Sequence, residues 1–69
     1  MKKYAVALMK GENEMIMGLF KTKNEADMYG KNNPIPHSAG LLYCYLAYFK
    51  KGRPVGNIKI YDYYNVLSV

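Results

Sequence analysis

Short apolar runs alternate along the chain with glycine-bearing polar breaks and with one stretch rich in lysine and asparagine, a spacing that predicts strands around a single helix. Residues 3–10 form the first run and Met15 to Lys21 the second, joined by Gly11-Glu12-Asn13-Glu14, which reads as a β-hairpin. With those four residues as the loop, Lys10 faces Met15, Leu8 faces Met17, Val6 faces Leu19 and Ala5 faces Phe20. One face then carries Tyr4, Val6, Leu8, Met17 and Leu19. The other carries Ala5, Ala7, Met9, Ile16, Gly18 and Phe20, so neither is polar.

Thr22 and Glu25 fit a capping box, in which the hydroxyl meets a free helix amide and the carboxylate returns to the amide of the cap, so a helix should begin there. Gly30 and Asn32-Asn33-Pro34 stop it after about three turns. At 100° per residue Ala26, Tyr29 and Gly30 fall on one side, small enough to sit close on a sheet, with Met28 opposite. Residues 33–40 are a loop, because Pro34 and Pro36 block regular pairing.

The longest apolar run follows, Leu41 to Phe49, alternating Leu42, Cys44 and Leu46 against Tyr43, Tyr45, Ala47 and Phe49. After the turn Lys50-Lys51-Gly52-Arg53-Pro54, residues 55–65 alternate Ile58 and Ile60 against Lys59, Tyr61 and Tyr63. The expectation is one small α+β domain spanning residues 1–69. It has a two-layer ββαββ order, with a four-stranded antiparallel sheet and one helix packed on one face. The helix is expected over Val6, Leu8, Leu19, Leu42, Leu46, Ile58 and Ile60. The opposite face, left open, would show Phe20, Tyr43, Tyr45, Phe49, Tyr61 and Tyr63, an aromatic surface suited to a partner.

Charge adds a second theme. The 69 residues carry 10 Lys+Arg against 5 Asp+Glu, a formal net charge of +5, which favours polyanionic partners and disfavours a protein that imitates DNA with carboxylates. The densest basic run is Lys50, Lys51 and Arg53, followed by Lys59. Lys51-Gly52-Arg53-Pro54 resembles the core of an AT-hook, and that resemblance implies a minor-groove contact by Arg53. It departs from the pattern where Val55-Gly56-Asn57 replace further basic residues, and a basic hairpin turn accounts for the same four residues.

Candidate catalytic chemistry is sparse. Cys44 falls in a strand on the core face, and His37 beside Ser38 sits in the proline loop without a third orienting group. One His and one Cys do not build a four-ligand zinc site, and the glycines match neither phosphate-binding fingerprint, so no catalytic residue, metal or cofactor is expected. Cys44 has no partner for an internal disulfide and no run reaches the ~18 apolar residues of a membrane span, so a reduced cytoplasm is expected, without a membrane partner.

The reading that follows is a non-enzymatic interaction module. It forms a homo-oligomer or binds a protein through the aromatic face, because a chain of this size cannot bury two apolar sheet faces alone. The alternative is nucleic-acid binding, with tyrosines stacking bases and Lys50, Lys51, Arg53 and Lys59 meeting phosphates. Usage rich in Lys, Asn, Ile and Tyr fits an A+T-rich bacterial or phage genome, where small accessory or inhibitor proteins of mobile elements are frequent.

Overall fold

The computed structural model describes residues 2–33 and 35–64, with the side chains of His37, Asn57 and Ile58 outside that description. The elements run β1 (Lys2–Lys10), β2 (Asn13–Phe20), α1 (Lys23–Asn32), a 3-10 turn (His37–Ala39), β3 (Leu41–Lys50) and β4 (Arg53–Tyr63). The class is α+β, one antiparallel sheet with one α-helix, and the strand order is β2-β1-β3-β4. β2 and β3 therefore flank β1, and α1 carries the chain across it from one to the other.

Both hairpins close with tighter turns than the apolar runs alone suggest. Lys10 pairs with Asn13 across Gly11-Glu12, and Gly11 alone has positive φ (63°), the signature of a type II′ turn. Lys50 pairs with Arg53 across Lys51 (φ 52°) and Gly52 (φ 76°), the signature of type I′. Arg53 and Pro54 therefore belong to the ladder of edge strand β4. The turn is Lys51-Gly52, and Arg53-Pro54 open a paired strand, not a free extended arm of the AT-hook kind.

Thr22 caps α1 as expected, its Oγ1 accepting from the Glu25 amide at 3.2 Å. The Glu25 carboxylate accepts from the Thr22 hydroxyl at 3.1 Å, a different partner from the cap amide. The helix continues through Gly30 and ends at Asn33, whose side-chain amide donates to the Tyr29 carbonyl. Its stripe is the expected one, with Ala26 and Gly30 buried and Met28 exposed.

Extra residues in the ladders decide which side chains share a face. Ala7 pairs with Ile16 but Val6 with Gly18, so Met17 is an unpaired bulge residue, and beyond it the face of each β2 residue is inverted. Leu19 consequently lies opposite Ala5, away from the helix and exposed. Phe20 lies opposite Tyr4 on the helix side, its ring 5.4 Å from that of Tyr29. A second shift, between Cys44/Tyr45, leaves Tyr61 extra and puts Ile60 opposite Tyr45. Ile60 is exposed and not in the helix-side core, whereas Tyr61 turns to the helix side of the sheet, where its ring meets Tyr4 at 6.0 Å.

Two buried clusters result. Under the helix lie Val6, Ala26, Leu42, Cys44 and Tyr64, ringed by Tyr4, Leu8, Phe20, Tyr29 and Ile35. On the opposite face lie Ala5, Ala7, Tyr43, Tyr45 and Ala47, with Phe49 packed alongside. The alanines leave room for rings to lie down on the sheet, and Tyr43 (3% exposed) and Tyr45 (0%) are buried where the sequence predicts an open display. Leu46 belongs to neither cluster. The side chain of Ile58, expected in the core, and that of His37, expected in an exposed loop, lie outside the described residues.

Candidate nucleic-acid interface

The helix is too short for the sheet. Ten residues of α1 span about 15 Å, whereas the ten residues of β3 run about 33 Å. The helix covers Val6, Leu42 and Cys44, and the far end of the same face is left to Leu46, Tyr48 and their neighbours. There the structure forms a groove of about 350 Å³ lined by Lys2, Leu46, Ala47, Tyr48, Val55, Gly56, Lys59 and Tyr61.

Each aromatic ring in this groove has a lysine over it. Lys2 Nζ stands 5.2 Å from the Tyr48 ring centre and Lys59 Nζ 5.2 Å from that of Tyr61. Both rings remain accessible, Tyr48 at 53% and Tyr61 at 40%. The pairing of β1 with β3 sets Lys2 opposite Tyr48 and Lys3 opposite Ala47, while the β3–β4 hairpin adds Lys50, Lys51, Arg53 and Lys59. Six of the chain's 10 Lys+Arg thus gather toward one end of the sheet.

Among the described residues no carboxylate lines the groove. Glu12 and Glu14 belong to the opposite hairpin, Glu25 and Asp27 to the helix, and Asp62 pairs across the sheet with Cys44. A charge balance that looks evenly spread along the sequence is polarised by the fold. A surface of this kind, rings flanked by unopposed cations, attracts phosphates and offers π-faces to bases.

The residues expected at a site divide between two places. Tyr43, Tyr45, Phe49 and Tyr63 share the helix-free face, with ring centres 5.9 Å (Tyr43–Tyr45), 6.2 Å (Tyr45–Phe49) and 6.2 Å (Tyr43–Tyr63) apart. Tyr43 donates to the Glu14 carboxylate across β1, so Glu14 is no free hairpin tip. Burial, then that bond, pushes the Tyr43 phenol above its usual range, and burial pushes Tyr45 up to about 12. Phe20 and Tyr61 are not part of this group. Lys50, Lys51, Arg53 and Lys59 do come together, joined by Lys2, Lys3 and Tyr48, which the sequence reading omits. Tyr48 continues the Leu42, Cys44, Leu46 alternation and was open to inference, whereas Lys2 joins only because β1 pairs with β3.

A further polar cluster locks the helix to the end of β4. The Tyr64 hydroxyl donates to Asp27 Oδ1 at 2.5 Å, and Lys23 Nζ bonds Asp27 Oδ2 at 2.8 Å and stands 3.8 Å from Asp62. The Lys23 ammonium, then the Tyr64 hydroxyl, hold the Asp27 carboxyl below its ordinary value, and the same bond to Asp27 raises Lys23. Cys44 is fully buried beside Tyr64, and burial pushes its thiol up, away from the thiolate a nucleophile needs. Among the described residues no group of three or more His, Cys, Asp or Glu is placed to hold a metal ion, and no helix is long and apolar enough to cross a membrane.

Comparison with known proteins returned no match to a family model, to a curated protein or to a solved structure.

Proposed function

We propose that the protein is a small non-enzymatic module that binds nucleic acid through the cationic end of its sheet. The observation that carries this reading is the pairing of accessible rings with unopposed cations around the groove: Lys2 over Tyr48 and Lys59 over Tyr61, with Lys50, Lys51 and Arg53 on the adjoining turn. Burial of Tyr43 and Tyr45 supports it from the other side, since the two central rings of the helix-free face are already used within the chain. Anisotropy of a labelled oligonucleotide at several salt concentrations tests the reading. Four phosphate contacts give a slope of log affinity against log salt of about −3.6 on a duplex and about −2.8 on a single strand, and Lys51→Ala with Arg53→Ala flattens it by roughly 1.4–1.8. Salt-independent binding, or none at low salt, overturns it.

A second reading, self-association or capture of a protein partner, has its own support. Around the buried tyrosines of the helix-free face stand Met9, Leu19, Leu41, Ile60 and Tyr63, all exposed, an apolar rim that a second copy would cover. The two readings are compatible, because a dimer formed there leaves the groove free and doubles the cationic ends. Light scattering at micromolar concentration distinguishes monomer from dimer, and Tyr63→Lys is expected to dissociate the latter. A monomer at every concentration removes the second reading.

A further inference from the structure

We infer that the preferred ligand is a single strand whose bases stack on Tyr48 and Tyr61, and not a duplex; this inference rests on the nucleic-acid reading above. In a duplex the base faces are hidden in the helical stack, so a protein meets only phosphates and base edges. The groove offers something a duplex has no use for, two half-exposed phenol rings whose faces each accept a cation at 5.2 Å in the free protein. A ring face that accepts Lys2 or Lys59 equally accepts the flat face of a base, and every base has one.

The displaced ammonium then has a natural destination. It remains tethered beside the ring it left, where the phosphate next to a stacked base passes, so one lysine and one tyrosine together hold one nucleotide. The features that read duplexes are absent from this end. Arg53 and Pro54 are tied into the β3–β4 ladder and form no extended arm for a minor groove. The helix carries Glu25 in its first turn, ties Lys23 to its own Asp27 and turns its Ala26–Gly30 side to the sheet, so it is not a cationic recognition helix.

The test compares three probes at one salt concentration. These are a thymidine oligonucleotide of about 12 nucleotides, the abasic strand of equal length, and a duplex of equal length, against the full chain and the variants Tyr48→Ala, Tyr61→Ala, Tyr48→Phe and Tyr61→Phe. The thymidine strand is expected to bind roughly a hundredfold more tightly than the abasic strand, which loses both stacks, and each Ala variant, which loses one, to lose roughly tenfold on the thymidine strand alone. The Phe variants keep a ring and keep affinity, and because both residues are partly exposed, circular dichroism confirms the fold of each. Equal affinity for the thymidine and abasic strands, tighter binding of the duplex, or Ala variants that bind like the parent overturn the inference while leaving the polyanion surface standing. Absence of binding to all three probes overturns the underlying reading as well.

Discussion

Gly30→Ala is the substitution in which local propensity and tertiary packing disagree most sharply. In an isolated helix the change stabilises, since Gly costs about 1 kcal/mol relative to Ala in a helix interior. Here a methyl at position 30 would lie 2.4 Å from Cδ2, 2.5 Å from Cε2 and 2.6 Å from Cγ of Tyr64, against an ordinary carbon–carbon contact of about 3.5–4.0 Å. Those atoms run along one edge of the ring from its root, so the clash is with the body of the ring and not with a flexible tip. The Tyr64 backbone is held by its N–H, which donates to the Leu42 carbonyl at 2.8 Å, so the ring has to swing away and give up its hydrogen bond to Asp27. Overpacking costs about 1–3 kcal/mol and a lost bond to a charged partner about 1.5–3, so after the propensity gain the net loss is roughly 2–4 kcal/mol. For 69 residues that is a fall in Tm of about 15–30 °C. Thermal melts followed by circular dichroism measure it. In a Tyr64→Ala background the sign reverses, and Gly30→Ala becomes stabilising by about 1 kcal/mol. A Gly30→Ala protein as stable as the parent refutes the account of how the helix meets the end of β4.

The remaining outcomes can be read from the same melts. The Tyr45 hydroxyl is buried with no hydrogen-bond partner among the described residues, so Tyr45→Phe is expected to be neutral or stabilising by up to about 1 kcal/mol, while Tyr43→Phe, which gives up the bond to Glu14, destabilises. Lys51 takes the left-handed conformation at the first position of a type I′ turn, where Asn is preferred, so Lys51→Asn should raise stability by a few tenths of a kcal/mol while weakening oligonucleotide binding. Tyr43, Tyr45 and Tyr64 are all held protonated above the usual tyrosine range by burial. Above pH ~10 the unfolded chain releases protons that the folded one keeps, so stability falls by up to roughly 1.4 kcal/mol per pH unit per tyrosine, and Tyr43→Phe makes the alkaline loss shallower. At the other extreme the lowered Asp27 pKa contributes stability that is present above pH ~4 and lost as pH falls through the folded value, a dependence that Asp27→Asn removes.

The readable parts of the chain were those governed by local rules. The Thr22 cap, the Ala26–Gly30 stripe, exposed Met28 and the burial of Cys44 follow from spacing and residue type, and each stands in the structure. The faces of Leu19, Phe20, Ile60 and Tyr61 do not follow, because alternation assumes an unbroken ladder and one bulge inverts everything beyond it. Met17 and Tyr61 carry no mark that singles them out as bulge residues. The role of Tyr64 is not legible in the sequence because it depends on two distant residues, Gly30 and Asp27, meeting it across the fold. The groove was half legible. Its cations are visible as a run at Lys50–Arg53, but Lys2 and Tyr48 become neighbours only once β1 lies between β2 and β3.

Chemical-shift mapping of the ¹⁵N-labelled protein during titration with a short thymidine oligonucleotide tests the central claim most directly, because it locates the contact as well as detecting it. The largest shifts are expected at Lys2, Tyr48, Lys59 and Tyr61 and along the Lys50–Arg53 turn, diminishing as salt is raised. Shifts concentrated instead at Met9, Leu41 and Tyr63 on the helix-free face, or none at the cationic end, would contradict the assignment of the groove.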